Sequence, residues 1–362
     1  MARAERTLTR RELNRALMAR QLLIERQPIP AAEAVGLVGG LQAQASVPPF
    51  VGLWTRVAGF EPAELQDLID YRAVVRATLM RHTIHFVAAD DYVWLRPTIQ
   101  PALDANFGAQ TRKRLAGVDI EPFLEAARRE FATRALTFAE VKELIRSLAP
   151  DSDIDAIAYG VRTHLPLIGV PNESRWRFGG RAPFVLAEDW LGQPLAPSDP
   201  REMVRRYLAA FGPATPADAT AWSGVAGMRA VFEELRGDLR VFRDEAGREL
   251  FDLVDAPLPP ADVEVPVRFL PEFDNTLLGH RDRTRVIADE HRPRIYLTAG
   301  RMAGTVLLDG FAAAAWRVTD GAIVVEPFRR LAKAERNALE PEAEALQAWL
   351  DPDAARGGIR FV

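Results

Sequence analysis

Three times along this chain a set of helices with capping signals leads into a β-rich hairpin, and that recurring order narrows the fold more than any single residue does. In the first set, Thr9 and Glu12 have capping-box spacing and open an amphipathic helix through Ile24. A short helix follows Pro30 and ends near Gly39-Gly40, Pro49 starts a third, and another spans Pro62 to Ile69. The runs AVVRATLM and HTIHFV then read as strands. The second set has helices over Pro122 to Thr133, after the Thr137/Glu140 capping box, and over Ile154 to Leu165, with a wing built from LPLIGV and RWRFGG. The third has Asp199 to Phe211, a helix opened by Thr215-Pro216, Val225 to Arg236, and a hairpin turning near Glu245 to Gly247. A short second helix with a tight turn is helix-turn-helix geometry, which serves DNA and also protein contacts.

The expected fold is therefore α+β: three tandem winged-helix modules over 8–118, 119–197 and 198–256, then a small β-rich domain over 263–362 closed by a helix near 330–350. The proline-rich DAPLPPADVEVP links the two parts, and VRFLPEFDN, RIYLTAG, TVLLDG, AAAWRV, AIVVEPF and GIRFV supply the last domain's strands. At 362 residues there is enough chain for several cores.

Composition removes whole classes of chemistry. With 0 cysteines the chain has no disulfide, thiolate nucleophile or Cys-ligated metal. The pair His82 and His85 has chelating spacing, but in a β-type run side chains three apart point to opposite faces, so no metal is expected. No phosphate loop, dinucleotide fingerprint, nucleophile elbow or HExxH helix is present, and no cofactor is expected. No apolar run is long enough for a membrane helix, and the charged start MARAERTLTRREL lacks a signal-peptide pattern, which gives a cytoplasmic expectation. A net charge of -4 argues against indiscriminate coating of nucleic acid, while local basic surfaces can still bind phosphates.

Four quieter features remain. Gln42 and Gln44 flank Ala43 between two helices; by spacing they are polar turn residues, or two amides able to position a water or hold a ribose, and neither can act as a strong base. Arg81, Thr83 and His85 alternate along the first wing and would share a face able to contact phosphates or water. In PEFDNTLLGHRDRTRV, Glu272, Asp274 and Asn275 precede a basic cluster of His280, Arg281, Arg283 and Arg285, and alternation with Asp282 leaves an ion-pair network and phosphate binding as equal readings. The tip AGRMAG carries Arg301 and Met302, an arginine beside an unbranched apolar side chain, as in a minor-groove probe or wedge.

The QxQ loop, the Arg-x-Thr-x-His wing and the PEFDN segment, in this order, resemble the AlkZ-like winged-helix DNA glycosylases from about residue 8 to 360. The resemblance implies winged helices around a concave channel, hydrolysis of the N-glycosidic bond of alkylated purines, and in some members action at interstrand crosslinks. It places Gln42 and Gln44 at the two catalytic positions, in the Gln-x-Gln rather than the Gln-x-Asp branch, with His85 or Asp274 as helpers. His82 departs from the pattern, which commonly has a small residue, usually Gly, there. The implied partner is double-stranded DNA containing alkylated purines, bound by a monomer associated with the nucleoid. A winged-helix transcriptional regulator, with the β domain sensing a ligand, and a protein-binding scaffold are the competing readings of the same architecture.

Overall fold

The computed structural model describes residues 6–352 and 358–362 and is a mixed α+β protein with three sheets. Residues 1–5, on which part of the reading of the charged start falls, lie outside the described residues.

The capping signals place helices where the residues require them. Thr9 accepts from the Glu12 amide while Glu12 accepts from the Thr9 amide, opening the helix Arg10–Arg20. The same reciprocal pair, Thr137 with Glu140, opens Phe138–Leu148, and Thr215 with Asp218 opens Pro216–Ser223. Helices also form at Ala31–Leu37, Pro48–Trp54, Pro62–Asp70, Glu121–Phe131, Ile154–His164, Pro200–Phe211, Met228–Leu235 and Lys333–Leu350.

The sheets tie these sets together. One sheet has the spatial order Leu41–Gln42, Ile84–Ala88, Val74–Thr78, Leu167–Gly169, Phe184–Leu186, all antiparallel, so strands from the first and second helical sets share it. A second pairs Leu239–Asp244 with Glu249–Leu253 and takes Thr7–Leu8, from the far end of the chain, as a parallel edge strand. The third runs Ile359–Phe361, Ala322–Pro327, Phe311–Thr319, Gly304–Leu308, Arg268–Leu270, and the helix Lys333–Leu350 packs on it through Leu339, Ala343 and Leu346. The first helix is likewise anchored far away: Asn14 donates to the carbonyls of Arg285 and Gly310 at 2.8 and 2.7 Å, and buried Arg20 pairs with Asp252 at 2.6 Å.

Several sequence expectations are corrected. The 23-residue helix Ala89–Thr111, absent from the sequence expectation, follows directly on the strand Ile84–Ala88; Pro97 and Pro101 inside it interrupt the helical signal, yet Tyr92, Leu95, Ile99 and Leu103 still bury one side. RWRFGG forms no strand, and its Phe178 turns into the core against Phe86. RIYLTAG is a helical turn at Arg292–Ile295 followed by a 3-10 turn at Thr298–Gly300, so the expected hairpin is reduced to a single bridge between Tyr296 and Met302. Among the described residues no helix is long and apolar enough to cross a membrane.

Candidate active site

The strand ATLMRHTIHFV is not continuous. A 3-10 turn at Met80–His82 interrupts it, with Arg81 at φ 53° and His82 at φ 61°, two successive residues in the left-handed region that usually takes glycine. Such backbone costs roughly 1–3 kcal/mol per residue and persists only where surroundings enforce it. Here the strain sends two side chains apart. His82 stacks on Tyr159 with ring centroids 5.1 Å apart, while Arg81 turns inward toward the loop that holds the two glutamines. The two histidines therefore diverge because of this turn, not because of strand alternation.

Gln42 sits on the short strand Leu41–Gln42, opposite His85 in register, and is buried; Gln44, two residues on, is exposed. Arg81 is the hub between Gln42 and the rest of the site. Its Nη2 donates to Gln42 Oε1 at 2.9 Å and to Asn275 Oδ1 at 2.8 Å, and lies 3.3 Å from His85 Nε2, while Nη1 donates to the Trp222 carbonyl at 2.9 Å. All four acceptors are uncharged. Burial, then the nearby Arg283 charge, pulls the Arg81 guanidinium down to about 10. Burial and Arg81 together push His85 down to about 3, so it is neutral at neutral pH. A neutral ring that accepts from Arg81 at Nε2 carries its proton on Nδ1, which then donates to the Thr83 carbonyl at 3.1 Å. Asn275 closes the ring by donating to the Gly40 carbonyl at 2.9 Å.

The amide ends of the glutamines follow from these bonds. Gln42 faces Arg81 with its carbonyl, and Gln44 accepts from the Ile84 amide at 3.2 Å, so neither NH2 group has a partner among the described residues. The cleft beside Gln42 is bounded by Pro48, Pro271, Glu272 and Asn275; its volume of about 10 Å³ is about the room one water needs. Glu272 stands at its rim, makes no hydrogen bond or ion pair among the described residues, and has its carboxyl raised by partial burial.

Other expected site residues have structural duties. Asp274 forms a two-pronged buried pair with Arg56 at 2.8 and 2.9 Å and caps Asn275–Leu278, so it is removed from the catalytic and DNA-facing sets. His280 is buried with Nε2 2.9 Å from the Phe211 carbonyl, and burial with the Arg285 charge lowers its affinity for a proton. Arg285 is buried on the Pro213 carbonyl, and Thr83 turns its hydroxyl back on Met80. Met302 is 3% exposed in the core and cannot wedge between bases. Arg283 is half-buried over the Tyr296 ring at 4.4 Å, and Asp282 pairs at 2.7 Å with Arg248, which lies outside the basic cluster. Arg281 and Arg301 are exposed. Sequence reasoning missed Trp222, which acts through its backbone carbonyl and so leaves no mark in residue identity. It also missed Arg56, whose partner lies 218 residues away.

Residues 35–349 match the family described as DNA glycosylase AlkZ-like. The chain belongs to the AlkZ-like DNA glycosylase family. A curated relative, the interstrand DNA cross-link repair glycosylase of Streptomyces sahachiroi, is 26% identical over 356 residues, covering 90% of this chain and 92% of that protein. The solved structure of the Streptomyces sahachiroi DNA glycosylase AlkZ superposes with a TM-score of 0.83 at 22% identity, covering 98% of this chain and 100% of that one. The glycosylase thus shares the fold of that structure over nearly its whole length, and the regulator reading of the same helices is not favoured.

Proposed function

We propose that this glycosylase hydrolyses the N-glycosidic bond of purines made cationic by alkylation at N7 or N3 in double-stranded DNA, with Gln42 and Gln44 as the catalytic pair. The observation that carries the reading is the kind of groups found on and around the glutamine loop: Gln42 lining the cleft with Glu272 at its rim, Gln44 two residues on, and behind Gln42 a neutral His85 beside Arg81. Neither the amides nor the neutral histidine is a proton donor suited to a leaving base at neutral pH. A cationic purine needs none, because it departs as a neutral base while the sugar takes on positive charge. The site then has to place one water and support that charge. Gln42, fixed by Arg81, holds the sugar or water; Gln44, exposed and loosely bonded, swings onto the water; Glu272 offers negative charge from the rim.

Action on interstrand crosslinks is part of the same proposal. It is supported by the name of the curated relative and by a cleft with room for a water rather than an extruded purine. Arg301, exposed on the turn at Thr298–Gly300, is the residue proposed to probe the groove, and the three helical sets are proposed to act as winged helices around the DNA.

The test is single-turnover incubation with duplex DNA containing N7-methylguanine. Free base and an abasic site are expected, and Gln42→Ala or Gln44→Ala should slow release about 10- to 1000-fold with DNA affinity nearly unchanged. Comparable excision of hypoxanthine, an uncharged base, would overturn the charge argument. Wild-type rates in both glutamine variants would overturn the catalytic assignment.

A further inference from the structure

Two arginines next to the glutamine loop are largely buried without an acid beside them. Arg76, on the strand Val74–Thr78, donates from Nε and Nη2 to the Ala43 carbonyl at 3.3 and 3.0 Å, and its guanidinium lies 4.8 Å from the Phe178 ring. Arg162, from the helix Ile154–His164, donates from Nε to Thr78 Oγ1 at 3.2 Å and lies 5.7 Å from the Phe138 ring. Arg76 and Thr78 are two apart on one strand, so the two guanidiniums stand on the same face of the sheet. Arg76 is pulled down to about 10 by burial and then by the Arg162 charge, and Arg162 is pulled down by burial.

Arg76 borders a cleft of about 540 Å³ that is also lined by Phe138, Lys142, Glu143, Arg146 and Arg181, and Arg162 adjoins it through the Phe138 ring. Lys142 is neutralised by Asp155 at 2.7 Å and Arg146 by Glu143. Arg181 is exposed at the rim and, like Arg76 and Arg162, has no carboxylate partner among the described residues. Arg20 and Arg56, two buried arginines of the first helical set, behave differently, since each holds a carboxylate with two nitrogens. Adjacent desolvated cations are unfavourable unless an anion joins them, and the unengaged Nη groups of Arg162 and Nη1 of Arg76 are donors suited to a phosphate oxygen.

We propose that Arg76 and Arg162, with Arg181 at the rim, form a seat for one backbone phosphodiester of the DNA strand whose damaged base is presented to Gln42 and Gln44. The proposal rests on the glycosylase reading of that loop. Arg76 holds the carbonyl of Ala43, the residue between the two glutamines, so the side chain that takes the phosphate also sets the height of the catalytic loop. Anchoring the strand and placing the amides become one act.

The experiment measures affinity for an undamaged duplex against salt concentration, with thermal melting to confirm folding. One phosphate contact contributes about 0.9 to the slope of log K on log salt. Arg76→Gln and Arg162→Gln should each flatten the slope by about one, and the double variant by about one rather than two, because both hold the same phosphate. Arg181→Gln, which leaves Ala43 untouched, should flatten it too. Methylphosphonate substitution walked along the strand should identify one position that weakens the wild type and not the double variant. A folded double variant with the wild-type slope overturns the seat, as does a loss of two units. Competition by inorganic phosphate with no methylphosphonate-sensitive position also overturns it, assigning the seat to free phosphate. If the seat fails while N7-methylguanine is still released, the proposed function stands; if the sensitive position is found but no purine is released, the seat stands and the substrate assignment falls.

Discussion

Asp274 and Asn275 are neighbours on one turn, and each holds a buried arginine, yet the two arginines live in opposite electrostatic settings. Arg56 meets a carboxylate that answers its charge, with Thr276 and the Gln21 and Gly52 carbonyls completing its bonds. Arg81 meets only uncharged acceptors. The difference separates two duties: Arg20 and Arg56, each with an acid, join the first helix and loop to distant parts of the chain, whereas Arg76, Arg81 and Arg162, with no acid partner among the described residues, lie at the glutamine loop or its sheet. The same turn thereby supplies one rivet for the architecture and one amide for the chemistry.

The largest expected effect breaks the first half of that contrast. Asp274→Ala leaves a buried guanidinium without its acid and should cost about 3–5 kcal/mol of stability, read by denaturant melts. A loss below about 1 kcal/mol would show that the pair is not a structural link. The converse variant, Arg81→Met, removes a charge that has no acid to lose. Its expected signature is excision slowed about 10- to 100-fold, because Gln42 loses its fixed orientation, with a stability loss of about 1–2 kcal/mol from the acceptors left unpaired, smaller than that of Asp274→Ala. Equal damage to stability from both variants would erase the distinction.

A pH titration sharpens it further, since burial, aided by the acid-free arginines, keeps His82 and His85 neutral. His85 is held at about 3 by burial and Arg81, and His82 at about 4 by burial and Arg162. An unfolded histidine binds a proton near 6.5, so below that pH the unfolded chain binds more protons than the folded one, and stability falls as pH drops from about 6.5 toward 4 and then 3. Melting temperature should begin to decline before the carboxylate range is reached, and Arg81→Met should reduce that slope; a flat profile from pH 7 to 5 would contradict the neutral assignment. Glu272, with its carboxyl raised, should lose its charge at a higher pH than an ordinary glutamate, so the excision rate should fall on that acidic limb and Glu272→Gln should abolish the limb while lowering the plateau about tenfold. The smallest effect is expected of His82→Gly, where relief of the left-handed backbone is offset by loss of the stack on Tyr159, for a net change within about 1 kcal/mol.

Much of the architecture was legible because it is written locally. The capping pairs Thr9/Glu12, Thr137/Glu140 and Thr215/Asp218 act within four residues, and each opens a helix where expected. The QxQ loop and the wing that faces it were legible as motifs, and register now brings Gln42 opposite His85. What stayed hidden depends on distance in sequence. Nothing in the residues around Asp274 announces Arg56, nothing around Met302 says that the chain folds back to bury it, and the polar run His280 to Arg285 looks solvated until Phe211 and Pro213 are seen to supply its carbonyl partners. The long helix Ala89–Thr111 was hidden by its own prolines, which the interior of a 23-residue helix tolerates when one face is buried.

The docking of the chain's first elements on its last ones has a consequence for biosynthesis. Thr7–Leu8 needs Leu239–Asp244 as its pairing partner, and the helix Arg10–Arg20 needs Asp252, Arg285 and Gly310. At roughly 5–20 residues per second, the amphipathic first helix emerges from the ribosome roughly 15–60 s before its seat exists. During that interval its apolar side is open to water and to other nascent chains. Ribosome-bound fragments ending before residue 310 are therefore a population that chaperones must hold.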